Sequence, residues 1–174
     1  MVFVSQRLGQ YLLGVIGGLL MSLPAHSQEK WPIPSADSDG RYVEERVIDV
    51  GNVPGHQLRI YNLSSTFPKK DLKFLGVNVV SSSSIGSSDY IGKSGSFSYY
   101  IVYALENGDK ILGRGTGASV SNPDGGRKYS FIENLSGGTG KFKGIRGQLR
   151  GSGERAPGAD GVTESQSGEY WVEQ

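Results

Sequence analysis

Along most of this chain polar and apolar residues alternate with period two, the pattern of strands with one buried and one wet face. The clearest run is Phe97, Tyr99, Ile101, Tyr103 and Leu105. Asn107-Gly108 follows, two residues that tolerate positive φ, and predicts a two-residue type I′ hairpin turn. In that register Tyr103 opposes Leu112, Ile101 opposes Arg114 and Tyr99 opposes Thr116. Gly113, Gly115 and Gly117 then share the other face with Val102, Tyr100 and Ser98. Glycine backbone covered by larger side chains lets a sheet coil tightly enough to close.

The same pattern marks strands at Arg41 to Val50, His56 to Leu63, Leu72 to Ser81 and Lys128 to Leu135. Another starts at Ile145, with Ile145, Gly147 and Leu149 on one face and Arg146, Gln148 and Arg150 on the other. Ser167 to Val172 is a last short strand, placed to close the sheet on the first. Between them, GNVPG and Asn122 to Gly126 read as turns, the serine-rich stretch Ser81 to Ser88 as a long mobile loop, and Gly151 to Gly161 as a polar loop. No segment past the N-terminus has sustained helical periodicity. The fold class is therefore all-β, a closed antiparallel barrel of about eight strands in preference to an open sandwich.

Three regions follow. Residues 1–27 read as a secretory signal: Arg7 is the one charge, Tyr11 to Leu23 is apolar, and Ala25-His26-Ser27 presents small residues at a cleavage site. The apolar run is short for a membrane span of about 20 residues. Residues 28–40 read as a linker, with two prolines and a Ser/Asp cluster, and with Trp31 expected against the barrel end. Residues 41–174 form the barrel domain.

Composition narrows the chemistry. The 174 residues include 27 Gly, 7 Pro and no Cys, so there is no disulfide framework, thiolate nucleophile or Cys-based metal site. Without residues 1–27, which hold one Arg and no acid, 17 of the 18 basic side chains remain against 17 acidic ones. That balance offers no electrostatic footprint for nucleic acid or anionic lipid, so no nucleic acid and, after signal removal, no membrane is expected as partner. The chain is compatible with a homo-oligomer.

Hydrolase and nucleotide motifs fail on spacing. There is no Gly-x-Ser-x-Gly. In GGTGKFKG the positions a phosphate loop needs as Gly and Ser/Thr are Leu135 and Phe142, and Lys141 and Lys143 are expected to be solvated. His26 leaves with the signal, so His56 is the one mature histidine, which argues against zinc; no metal or cofactor is expected. His56 opens a strand after a Pro-Gly turn. It reads first as a surface or hydrogen-bonded structural residue, and second as a pH-sensitive group at the barrel mouth. Tyr99 and Tyr103, with Arg114 on the same face, are the polar groups that could converge on a ligand if the barrel holds a cavity instead of a packed core.

The segment Gly137 to Gly147, GGTGKFKGIRG, resembles the GGTG-x-F-x-G-x-x-G signature of the allene oxide cyclase and dirigent barrel superfamily. The likeness runs from about Gly95 to Gly151, through FSYYIVYALENGDKILGRGTG, and implies a bacterial secreted member. The resemblance implies a β-barrel acting on apolar molecules held inside it. The plant cyclase of that group moulds an unstable epoxide as an isomerase, whereas dirigent proteins orient radical coupling without doing the chemistry. The cyclase's cavity cysteine has no counterpart here, and its cavity glutamate matches neither Glu44 nor Glu45 by any motif. The fold carries over, and no catalytic residue does.

The expectation is a secreted or periplasmic barrel that binds a small apolar or aromatic molecule, with Tyr99, Tyr103, Arg114 and His56 as ligand-binding candidates. One alternative is an isomerase or cyclase working on an apolar substrate inside the barrel. The other is a filled barrel serving as a structural or interaction module.

Overall fold

The computed structural model describes residues 28–173; the expected signal, residues 1–27, lies outside them. Nine strands follow in order: β1 (Trp31–Asp49), β2 (His56–Thr66), β3 (Lys73–Phe74), β4 (Val77–Ile91), β5 (Ser94–Leu105), β6 (Lys110–Ser121), β7 (Arg127–Gly138), β8 (Ile145–Arg155) and β9 (Gly161–Val172). Eight of them close an antiparallel barrel: β2, β1, β9, β8, β7, β6, β5 and β4 are neighbours in turn, and β4 pairs back to β2. The two-residue β3 is appended to β4. The expected all-β closed barrel is present, and its last strand does pair with its first.

Register shifts in β1, β4 and β7 mark bulges that add the coil closure requires. Four local expectations are corrected. The stretch from Trp31 to Gly40 is no linker. It is the first half of β1, paired with β9, and Trp31 stacks on Tyr170 with ring centroids 5.4 Å apart. The Ser81 to Ser88 stretch is no loop. It lies in β4 and is paired on both sides, with β2 and β5, so ladder bonds override the poor strand propensity of serine. The expected loop at 151–161 shrinks to 156–160, because β8 continues to Arg155 and β9 starts at Gly161.

The fourth correction is the β5–β6 register. The Leu105 N–H donates to the Asp109 carbonyl, and the Gly108 N–H donates to that of Leu105. The loop is thus three residues, Glu106 to Gly108, with Gly108 at φ +86° in the left-handed position of a bulged hairpin. Relative to the two-residue turn the pairing slips by one, so Tyr103 opposes Ile111, Ile101 opposes Gly113, Tyr99 opposes Gly115 and Phe97 opposes Gly117. A one-residue slip exchanges the faces of a strand. The glycine row therefore lies inside the barrel beneath the aromatic rings, and Arg114 moves outside.

The end of the barrel holding the start of β1 and the end of β9 is plugged. Phe67, Leu72 and Phe74, from the β2–β4 connection, are buried with Phe142, Ile145, Leu149 and Tyr170. The Phe74 ring meets Tyr170 at 5.2 Å and Tyr103 at 6.0 Å, and the Leu75 N–H donates to the Tyr170 hydroxyl at 2.8 Å. After Gly138 the glycine-rich segment makes a single 3-10 turn, Gly140–Phe142, which turns Phe142 into the plug and leaves Lys141 exposed.

Candidate functional site

The rest of the interior is packed less tightly, with room between its side chains for a few waters. Strands β2 and β4 turn small side chains inward: Ser65, Ser82, Ser84 and Ser88 are all buried. Elsewhere around the ring, β5 and β7 turn in Phe97, Tyr99, Ile101, Tyr103, Tyr129 and Phe131. Small walls facing ring-bearing walls leave a narrow slot that is open at one end. The β5 and β7 rings meet edge to face over the β6 glycines, Tyr99 to Phe131 at 6.3 Å and Phe97 to Tyr129 at 5.9 Å.

Two carboxyl groups face this slot. The β7 alternation that turns Tyr129, Phe131 and Leu135 inward also turns Glu133 inward, where it is 1% exposed. The Tyr99 hydroxyl donates to Glu133 Oε2 at 3.2 Å, while Oε1 has no partner and lies over the bare backbone of Gly113. Burial, with a smaller push from Glu164, raises the Glu133 carboxyl to about 7 against the hydrogen bonds from the tyrosines. Glu164, from β9, is also raised by burial and accepts from the Tyr129 hydroxyl at 2.9 Å and the Ser38 hydroxyl at 3.3 Å. Burial pushes the Tyr61, Tyr99, Tyr103 and Tyr129 phenols well up, so they stay neutral donors at ordinary pH.

At the end opposite the plug three guanidinium groups surround one phenol. Arg155, Arg59 and Arg127 lie 4.9, 5.6 and 5.8 Å from the Tyr42 ring centre. Arg59 pairs with Glu45, and Arg155 lies 3.8 Å from the same carboxylate. Arg127, 5% exposed, donates from Nη2 to the Tyr42 hydroxyl at 2.6 Å.

Of the residues singled out from sequence, the structure brings two together. Tyr99 and Tyr103 line the slot, and the Tyr103 hydroxyl donates to Gln166 Oε1 at 3.4 Å. Arg114 does not join them: it points outward, over the Tyr100 ring at 5.3 Å, because of the register slip. His56 sits at the barrel end and outside the slot, its Nε2 2.7 Å from Asp89 and its Nδ1 2.5 Å from Asn52, the geometry of a hydrogen-bonded structural residue. Glu133, Glu164, Arg59 and Arg127 were missed. The signal for Glu133 was present in KYSFIENL, where an acid falls on the same parity as Tyr129, Phe131 and Leu135. Among the described residues no cluster of three His, Asp or Glu side chains is placed to hold a metal.

The slot can shield an apolar body among rings and offer it one carboxyl that keeps its proton up to about pH 7. No protein-family model matches the chain, and no curated protein matches it. Among solved structures it is similar to two pterocarpan synthase dirigent proteins. One shares 16% identity over 84% of this chain and 94% of that one, with a TM-score of 0.49. The second shares 13% identity over 86% and 97%, with a TM-score of 0.46.

Proposed function

We propose that this protein is an exported barrel that binds a small apolar or aromatic molecule in the slot between its serine and aromatic walls. The observation that carries the reading is Glu133: a fully buried carboxyl facing the slot with one oxygen unpartnered. Buried polar groups are ordinarily paired, and a ligand hydroxyl or N–H would complete this one. Export rests on Arg7, the apolar run and the Ala25-His26-Ser27 site.

Extraction of protein purified from its native compartment, followed by mass spectrometry, tests the reading. Ser84→Trp serves as the filled-slot control, since Ser84 is buried on the small-residue wall. A molecule recovered from the wild type and lost from the variant is expected. No bound molecule, or equal recovery from both, would refute the reading.

A second reading, an isomerase or cyclase, is favoured by one observation: a buried acid raised to about 7 beside a neutral phenol can give or take a proton near neutral pH. The recovered molecule separates the two. Conversion by the wild type and none by Glu133→Gln marks an enzyme, and unchanged release from both marks a binder.

A further inference from the structure

We propose that the open end of the barrel is an oxyanion site, so that the ligand is an amphipathic anion with its apolar body in the slot and its charged head at Arg127. This rests on the slot-binding reading and adds the chemistry and orientation of what it takes.

The first observation is a buried charge that has two aromatic faces beside it and no counter-charge. Arg127 forms no ion pair among the described residues; its one bond to a side chain goes to the neutral Tyr42 hydroxyl, and its Nε has no partner at all. A buried cation is costly without a counter-charge, and an unpaired guanidinium nitrogen adds to that cost. The second observation is position. Arg59, Tyr90 and Arg127 line both the slot and a separate open depression outside it, so they form a collar that any ligand entering from this end must pass. The third is the charge of the depression, where Arg59, Lys93, Arg127 and Arg155 face only Glu45 and Asp160. Glu45 is already engaged by two of those arginines. A planar guanidinium presents a fork of donors that fits carboxylate, sulfonate and phosphate oxygens alike.

The interior fixes the orientation. Beyond the collar the slot holds Glu133 and Glu164, and no described cation pairs with either. An anionic head would be stripped of water there with no counter-charge, and is drawn instead to the collar. Arg127 and Glu133 lie six residues apart on β7, about 20 Å of strand. An elongated ligand can therefore keep its head at the arginines while its body reaches the rings around Glu133.

Two fluorescent probes of matched shape test this: 1-anilinonaphthalene-8-sulfonate, and N-phenyl-1-naphthylamine, which has the same rings without the sulfonate. With no anion site the sulfonate, harder to strip of water, would bind the slot more weakly than the neutral amine. The wild type is expected to bind the sulfonate about tenfold or more tightly, the scale of a charge-assisted hydrogen bond. Added salt should weaken the sulfonate alone. Arg127→Gln should remove that preference and leave the neutral amine within about twofold, and Arg155→Gln, at a more exposed position, should reduce it in part. Equal wild-type affinities, or a variant that weakens both probes alike, would overturn the oxyanion site while leaving slot binding in place. Failure of both probes to bind would overturn the slot reading and this inference together.

Discussion

Glu133→Gln removes the one fully buried acid whose proton the fold holds near neutral pH, and its effect on stability can be worked out in sign and size. In the unfolded chain the carboxyl loses its proton around its ordinary 4.5; in the barrel, burial raises it to about 7. Between those values the folded state binds more protons than the unfolded one, so this group makes stability fall as pH rises, and the loss is complete above the folded value. A gap of about 2.5 pH units at about 1.4 kcal/mol each gives about 3 kcal/mol. Glutamine carries no such charge. At pH 8 the variant should gain roughly 2 kcal/mol once about 1 kcal/mol is allowed for the altered bond from Tyr99, or roughly 4–8 °C in Tm. Urea unfolding at pH 5, 6, 7 and 8 checks this, with the wild type losing stability across the series and Glu133→Gln losing less. Glu164 is raised in the same sense, so Glu133→Gln with Glu164→Gln should flatten the profile further. Asp37 and Glu106 are lowered, by hydrogen bonds from Lys69 and Asn78 respectively; their contributions are lost only in acid, below the window. A wild type equally stable from pH 5 to 8, or a variant that keeps the whole slope, would refute the assignment.

Three further outcomes are expected. Gly117→Ala should destabilise by about 2 kcal/mol, because its Cβ would overlap the Ser130 carbonyl oxygen and the Phe97 ring; an unchanged urea midpoint would contradict the inward glycine row. Arg114→Ala should leave probe binding unchanged and stability within about 0.5 kcal/mol, since the side chain lies outside on Tyr100; lost binding would return Arg114 to the slot. The exported protein should begin near Gln28, and an intact mass that includes residues 1–27 would replace the cleaved signal with an uncleaved anchor.

Which parts of the molecule could be read beforehand follows from the range of the interactions involved. Alternation is local, so Phe97 to Leu105 was assigned to a strand with Tyr99 and Tyr103 facing in, as found. The hairpin was located correctly but not its register, because Asn-Gly fits both a two-residue turn and the last two places of a three-residue bulged loop. That single residue decided the fate of Arg114. The Ser81 to Ser88 strand was illegible for another reason: serine has little strand preference of its own, and its order comes from the ladders to β2 and β5 on either side. The same holds for Trp31 to Gly40, whose partner β9 lies at the far end of the chain. The arginines of the open end, Arg59, Arg127 and Arg155, come from three strands that only closure of the barrel brings together.

The distribution of polarity inside the barrel argues that the slot was not selected for stability. A small eight-stranded barrel can be filled with side chains. This chain does that at one end, where Phe67, Leu72, Phe74, Phe142 and Leu149 pack without a charge among them. Toward the other end the barrel turns in five serines, two carboxyls and a buried arginine. Replacing buried charges by apolar groups of similar volume is commonly neutral or stabilising, so stability alone would favour continuing the plug upward. Glu133 makes the point for a single residue: it lowers stability at pH 8 where an amide would not, and its Oε1, like the Ser88 hydroxyl on the facing wall, is left without a partner. Departures from local consistency concentrate at functional sites. Here they fall on one cavity and its collar, and the aromatic plug beneath supplies the rigid floor against which a ligand could be held.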